Sequence, residues 1–277
     1  MNKGLITVLS LGAGVQSSTL ALMAAHGEVG PMPDCAIFAD TGWEPKAVYE
    51  WLNWLELELP FPVHRVSKGN IRDEQITARV RGLKGEDGSR WASLPYFTAN
   101  ADGSTGLIRR QCTSEYKIQP IEKFIRRELL GLAPRQRAPK DLTIEQWFGI
   151  SLDEIQRCKA EFVEPWRRNR YPLIESRMTR GHCLEWMARK GYPMPPRSAC
   201  LGCPFHHDEE WQRIKDGPAD EWASVVAFDA AIRVAGGTQG ETFIHRSCKP
   251  IGEVEFNTVA ASGQYTMLDE CEGMCGV

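Results

Sequence analysis

Apolar and polar positions alternate along the chain in a pattern of short strands and longer helices. Residues 5–10, Leu-Ile-Thr-Val-Leu-Ser, form an apolar run of strand length. A Gly/Ser loop follows at 12–18, and Thr19 to Ala25 continues as a helix. Cys35 to Ala39 is a second apolar run, ending in Asp40-Thr41-Gly42. Pro45 opens a helix-length segment to Glu58, where its missing N–H is no loss, and Val63 to Val66 reads as a third strand. Such alternation predicts a parallel sheet covered on both faces. Residues 82–106 carry five glycines and little periodicity, and read as a long loop. Thr113-Ser114 is positioned to cap a helix over 115–130. Gln146 to Ile150 reads as a strand, 152–162 as a helix, and Trp166 to Pro172 as a basic turn. Thr179 caps a helix ending at Gly191, and Pro193 to Pro196 leads into Cys200-Leu201-Gly202-Cys203-Pro204. Two helices follow, near 208–216 and 219–235, and then a Gly-rich tail. The expected organisation is a nucleotide-binding α/β domain over 1–163 and a C-terminal helical, cysteine-bearing region over 164–277.

Composition narrows the class. The net charge of −3 argues against a polycation that binds nucleic acid non-specifically. Local basic stretches remain, at Arg126, Arg127, Arg135, Arg137 and Lys140, joined by Arg167, Arg168 and Arg170. They are either contacts for a tRNA or DNA backbone or a solvated face. The first apolar run is too short for a secretory h-region, and no run of apolar residues is long enough to span a bilayer. A cytoplasmic protein with no membrane partner is expected. Nine cysteines in a reducing compartment read as metal ligands or redox nucleophiles rather than disulfides. Cys35, Cys158 and Cys248 stand apart and are assigned to packing.

Two motifs carry chemistry. Ser10-x-Gly12-x-Gly14-x-x-Ser17-Ser18, between a strand and a helix, suits phosphate. Glycines let the backbone approach, the helix start offers N–H groups, and the serines add hydroxyls. A plain strand-to-helix turn uses the same residue types. The loop lacks the Gly-Lys-Ser/Thr of a Walker loop and the dinucleotide fingerprint. Cys200-x-x-Cys203 is half of a zinc site or half of an iron–sulfur site. Arg109, Arg110 and Lys117 flank Cys112, and arginine suits forked contacts to sulfate or phosphate.

Taken in order, the motifs resemble the PP-loop (adenine nucleotide α-hydrolase) superfamily, which includes ATP pyrophosphatases and phosphoadenosine-phosphosulfate (PAPS) reductases. Gly12-Ala13-Gly14-Val15-Gln16-Ser17 matches the pyrophosphatase Ser-Gly-Gly-x-Asp-Ser, with Gln16 in place of the acid. Asp40-Thr41-Gly42-x-x-Pro45 resembles the segment after the second strand. Arg110-x-Cys112-Thr113-x-x-x-Lys117-x-x-Pro120 resembles a phosphate- or sulfate-binding segment. Gly149-Ile150-Ser151-x-Asp153-Glu154-x-x-Arg157, Tyr171-Pro172-Leu173-Ile174 and Ser198-x-Cys200-x-x-Cys203-Pro204-Phe205 resemble the PAPS-reductase-like branch. The resemblance implies a five-stranded parallel sheet of the HUP class with helices on both faces. It places nucleotide on Ser10, Gly12, Gly14, Gln16, Ser17, Ser18, Asp40, Thr41, Gly42, Ser151, Asp153 and Arg157.

The resemblance also makes Cys112 the third partner of Cys200 and Cys203 in a 4Fe-4S cluster, with zinc and free thiols as the alternatives. Thr113 stands where the iron–sulfur reductases carry a second cysteine. Three ligands leave one iron open, as in the tRNA 2-thiolation enzymes of the superfamily, unless Cys183, Cys271 or Cys275 supplies a fourth. Glu270-Cys271-x-Gly273 resembles the Glu-Cys-Gly tail of PAPS reductases, which makes Cys271 a candidate nucleophile and Cys275 its redox partner. Arg110 and Lys117 join them as candidate catalytic groups.

Three functions are expected from this set. The first is an ATP-dependent sulfurtransferase that adenylates an acceptor, with Mg2+ accompanying ATP. The second is a thiol-dependent reductase of PAPS or adenylylsulfate. The third is a nucleotide-binding regulatory protein without turnover. The implied partners are an adenine nucleotide, a sulfur donor or thioredoxin-like reductant, tRNA or DNA, and a second copy in a homodimer.

Overall fold

The computed structural model describes residues 4–80, 94–100, 102–159, 162–233 and 240–257. Its main sheet is built from β1 (Ile6–Leu11), β2 (Cys35–Asp40), β3 (Val63–Ser67), β6 (Ile144–Phe148), β7 (Phe162–Glu164) and β8 (Arg167–Arg170). The strand order is β3-β2-β1-β6-β8-β7. The first five strands in that order are parallel, and β7 closes the edge antiparallel to β8. The expected five-stranded parallel α/β sheet is therefore present, with one antiparallel strand added.

Helices cover both faces, which is why β1 and β2 are apolar along nearly their whole length. Alternate residues serve opposite layers. Leu9, Leu11, Ala36, Phe38 and Trp147 face one core, with α1 (Val15–Ala25), α2 (Lys46–Glu58) and α6 (Arg180–Arg189). Val8, Cys35, Ile37, Ala39 and Ile144 face the other, against Ile121 and Ile125. These two isoleucines lie on a continuous helical stretch whose central part is α4 (Gln119–Phe124), with π-wound turns at Thr113–Ile118 and Ile125–Leu129. Pro120 interrupts the ordinary hydrogen-bond ladder near the first of them. Cys35 packs as expected, and burial pushes its thiol up to about 11.

Four local expectations are corrected. Within the stretch read as a loop, β4 (Phe97–Asn100) and β5 (Thr105–Leu107) pair with each other, and β4 pairs with β9 (Gly240–Phe243). The helix read over 152–162 is a 3-10 segment, Leu152–Arg157, followed by β7. The basic turn is β8, followed by the short α5 (Pro172–Glu175). Thr113 and Ser114 do not cap their helix: Cys112 stands at the N-cap, and its side chain makes no capping bond. Thr179 does cap α6, accepting from His182 N at 3.3 Å while the His182 ring accepts from Thr179 N.

A third cluster joins α3 (Ile71–Val80), α7 (Asp208–Asp216) and α8 (Ala219–Ile232) around Ile71, Tyr96, Tyr116, Trp211 and Phe228. Two buried aspartates staple residues 240–257 onto it. Asp229 accepts from Ile244 N and Ile251 N, each at 3.0 Å. Asp208 accepts from Arg246 Nη2 at 2.7 Å, Asn257 N at 2.8 Å and His245 Nε2 at 3.4 Å. Burial lowers the pKa of His245, against the pull of Asp208. A histidine lowered in this way contributes stability that is complete above the ordinary value of about 6.5. That stability is lost as pH falls below it, because the unfolded chain takes the proton first. Melting temperature is expected to drop from pH 8 to pH 5, and less steeply in His245→Gln. Identical slopes for the two proteins would remove His245 as the source. No helix among the described residues is long and apolar enough to cross a membrane.

Candidate functional site

Strand order reverses at β1: the chain leaves it toward β2 on one side, while β6 lies on the other. Open α/β sheets form their ligand crevice at such a switch, beyond the C-terminal strand ends. Here the residues after β1 and β6 line a cleft that is partly open to solvent.

The loop after β1 is tied by local hydrogen bonds. Ala13 has φ 59°, a left-handed conformation that disfavours a Cβ, at a position where the matching motif has glycine. Gly14 is the N-cap of α1, which has neither a side-chain cap nor an acid in its first turn. The first N–H groups of that helix are thus left for an anion. Gly12 N donates to Ser17 Oγ at 3.1 Å, and Ser198 Oγ donates to the Gly12 carbonyl. Gly149, just past β6, lies flat against this loop: a Cβ there would stand 2.6 Å from Ser17 Cα and 2.7 Å from Ser17 N. Ser10 accepts from Gln146 Nε2 at 2.7 Å and lines the cleft with Gly12, Gly14, Gln16 and Ser17. Ser18 is turned away: its hydroxyl accepts from Trp51 Nε1 at 2.9 Å inside the core.

The opposite wall comes from the 3-10 segment. Gln16 Nε2 donates to Glu154 Oε2 at 3.0 Å and reaches Ser151 Oγ at 3.4 Å. Arg157 pairs with Glu154 Oε1. Burial holds the Glu154 carboxyl above the usual range, against the opposing charge of Arg157. Both residues line the cleft, whereas Asp153 is exposed and accepts from Arg180 N, at the start of α6. Phe38, Ile121, Phe148 and Ile150 give the cleft an apolar side, which with the polar loop suits a base joined to phosphates.

Asp40, Thr41 and Gly42 shape the turn after β2 and do not line the cleft. Asp40 Oδ1 accepts from Gly42 N at 2.7 Å and Tyr49 Oη at 2.8 Å. Gly42 needs its freedom, because at φ +73° a Cβ would lie 2.8 Å from Asn70 Cα. This turn delivers Glu44 into the interior. Glu44 Oε1 accepts from Thr41 Oγ1 at 3.0 Å and stands 3.7 Å from Lys117 Nζ. Glu44 Oε2 is buried with no hydrogen-bond partner. Cys200 Sγ is 3.2 Å from Thr41 Oγ1 and 3.7 Å from Glu44 Oε1. Lys117, only 7% exposed, also lines the cleft. A chain of contacts therefore runs from the cleft through Lys117 and Glu44 to Cys200.

The cysteine loop is clamped to the same turn. Leu201 N donates to Trp43 O at 2.9 Å, and a Cβ on Gly202 would meet the Trp43 ring at 2.3 Å. His206, buried and pushed down to about 4 by desolvation, is neutral, and its Nε2 lies 2.9 Å from the Cys200 carbonyl, to which it donates. Arg110 lies over the Phe205 ring at 5.7 Å, which brings the segment carrying Cys112 to the segment carrying Cys203. Cys112 and Cys200 pack against the same apolar cluster. Cys183 does not join them: it is fully buried on α6 in the core beneath α1, so it is removed as a fourth ligand. Cys271 and Cys275 lie outside the described residues. Among the described residues, no three His, Cys, Asp or Glu side chains are gathered so as to hold one metal ion.

The basic stretches separate. Arg168 and Arg170 pair with Glu145, and Arg170 also pairs with Glu175. Arg167 is 9% exposed and lies over Trp166, so these three are parts of β8, which is paired on both sides within the sheet. Arg126 and Arg127 donate to the carbonyls of Gln136 and Leu132. Arg109, Arg135, Arg137 and Lys140 are exposed. Four residues of the site escaped the sequence reading as functional: Gly149, Glu154, Ser198 and Glu44. The first three stand inside motifs quoted above, and Glu44 is an unassigned position of Asp40-Thr41-Gly42-x-x-Pro45.

No protein-family model matches the chain, and no curated protein matches its sequence. Solved structures do match it. One is a PAPS reductase from Candida auris in a phosphate complex, 13% identical with a TM-score of 0.39, over 70% of this chain and 76% of that one. Another is the U34-tRNA thiolase NcsA from Methanococcus maripaludis with its 4Fe-4S cluster. It is 14% identical with a TM-score of 0.36, over 92% of this chain and 84% of that one.

Proposed function

We propose that the chain is an adenine-nucleotide-dependent sulfurtransferase. The observation that carries this reading is the contact chain Lys117–Glu44–Cys200, which joins a phosphate cleft to a pair of closely spaced cysteines. In the reaction, an acceptor oxygen attacks the α-phosphorus of ATP. The new O–P bond forms as pyrophosphate departs with the electrons of the broken one. Sulfide then attacks the carbon bearing the adenylated oxygen, and AMP leaves with that C–O bond pair. The uncapped N-terminus of α1 and the cleft face of Lys117 are placed to hold the phosphate charge that builds on the leaving groups. The acceptor class is a nucleic-acid base or a small metabolite carrying an activatable oxygen.

Cys112, Cys200 and Cys203 are the residues that would hold a 4Fe-4S cluster. Their donor chemistry fits: three soft thiols come from two segments that meet at Arg110 and Phe205. When bound, such a cluster supplies a metal position on which sulfide can be held.

Anaerobically prepared protein given ATP, sodium sulfide and bulk tRNA should release AMP and pyrophosphate, and should contain iron and acid-labile sulfide in equal amounts. Cys35→Ala, a packing change, should alter neither result. Sulfite released from PAPS with thioredoxin, and no pyrophosphate from ATP, would instead establish the reductase with Cys271 as its nucleophile.

A further inference from the structure

Away from the cleft, a serine, a histidine and an aspartate stand in the order of a proton relay. His245 to Cys248 form a turn, closed by Cys248 N donating to the His245 carbonyl at 3.1 Å. Within it, Ser247 N donates to His245 Nδ1 at 3.1 Å. A backbone N–H can only donate, so Nδ1 carries the lone pair of the ring and Nε2 its proton. Ser247 Oγ lies 2.7 Å from the same Nδ1, and the hydroxyl proton is therefore aimed at the imidazole. On the other side of the ring, Nε2 faces Asp208 Oδ1 at 3.4 Å, and Arg246 Nη2 and Asn257 N fix that carboxylate. A hydroxyl bonded to a base that a third group orients is the arrangement that activates a serine. Burial favours the neutral ring that such a base must be. His245 and Asp208 are 4% and 3% exposed, whereas Ser247 is open to solvent. Cys248, at φ 51°, takes a left-handed conformation that its Cβ disfavours, directly after the serine.

We propose that Ser247 is an activated nucleophile, with His245 as its base and Asp208 as the group that positions the base, and that it takes an acyl group from esters carrying a negative charge. The charge preference comes from two cations beside the hydroxyl. Arg246 has a side chain 57% exposed although one nitrogen pairs with Asp208, and Lys249, two residues past the serine, is exposed as well. In the step, Ser247 Oγ attacks the ester carbonyl carbon while its proton passes to His245 Nδ1. The bond from that carbon to the alcohol oxygen breaks, its electron pair leaves with the oxygen, and the alcohol departs with the proton from Nδ1. An acyl-serine remains. None of these residues lines the nucleotide cleft, so the proposal stands apart from the sulfurtransferase reading.

Labelling of the full chain with a fluorophosphonate, followed by peptide mass spectrometry, tests the nucleophile. Here the Oγ–P bond forms as fluoride leaves. Ser247 should be labelled about 100-fold faster than the exposed Ser176 of the same molecule, the contribution of a positioned base. Ser247→Ala should lose that adduct, and His245→Gln should slow labelling of Ser247 to the rate at Ser176. Equal rates at the two serines of the native chain would overturn the proposal, whether or not His245→Gln folds. So would undiminished labelling of Ser247 in a folded His245→Gln protein. For the charge preference, acylation of Ser247 by 4-nitrophenyl hemisuccinate should outrun that by 4-nitrophenyl acetate, and Arg246→Gln should shrink the difference. A native chain that takes both esters at one rate would overturn the role given to Arg246.

Discussion

Gly149→Ala should abolish productive ATP binding while leaving a folded protein. The added methyl carbon would stand 2.6 Å from Ser17 Cα and 2.7 Å from Ser17 N, and neither backbone atom can swing aside as a long side chain would. The strain must be relieved by moving the loop or the end of β6. Overpacking of this kind costs about 1–3 kcal/mol, which a chain of this size tolerates. The loop pays for it in geometry. Its Gly12 N to Ser17 Oγ bond and the Gly14 cap depend on Ser17 staying in place. A shift near 1 Å in a positioned reactant costs about 100-fold in rate. Gly14 is the instructive control, because a Cβ there would meet Ser198 Cβ at an ordinary 3.6 Å. Gly14→Ala should therefore bind ATP far better than Gly149→Ala. Calorimetric titration with thermal melting as the folding control separates the two, and native affinity in Gly149→Ala would refute the close-approach argument.

Lys117→Ala should produce the largest loss of stability of any single change at the site. Lys117 and Glu44 are 7% and 4% exposed, and their charged atoms are 3.7 Å apart. Removing the ammonium leaves a carboxylate deep in the protein, with Oε2 already lacking a hydrogen-bond donor. Breaking a buried ion pair from one side costs about 3–5 kcal/mol, more than the pair contributes as a pair. Lys117→Met with Glu44→Gln should recover most of that loss, because neither side then buries an unpaired charge. The double variant should remain inactive, since the cationic wall of the cleft is gone. Urea denaturation of the native, single and double variants measures the coupling. A Lys117→Ala protein as stable as the native one would show that the contact between Lys117 and Glu44 contributes nothing to the fold.

The legible parts of the fold share one property. β1, β2 and β6 announce themselves through apolar residues because both faces of each are covered, and Thr179 announces α6 because capping is a contact between residues three apart. β8 gave no such signal. Its residues are Arg-Arg-Asn-Arg, and they form a strand because Ile144 to Trp147 offers a backbone edge and Glu145 and Glu175 take their charges. The strands β4, β5 and β9 span only three or four residues each, too few for a period, and β4 finds β9 across more than half the chain. The cysteines divide in the same way. Spacing alone groups Cys200 with Cys203, but only packing separates Cys183, sealed in the core under α1, from Cys112, which packs against the same cluster as Cys200.

By itself the sequence determined the class of the sheet, and it marked the loop after the first strand and the cysteine pair as candidates for chemistry. Each follows from residues close together in the chain, where period, turn preference and spacing act directly. Only the tertiary structure decided that Ser18 and Asp40 turn away from the cleft, that Glu154 and Arg157 face Gln16 across it, and that Gly149 limits the loop. It alone joined Lys117 through Glu44 to Cys200. Close approach and charge pairing belong to pairs of residues, and a pair distant in sequence has no physical expression until the backbone brings its members within a few ångströms.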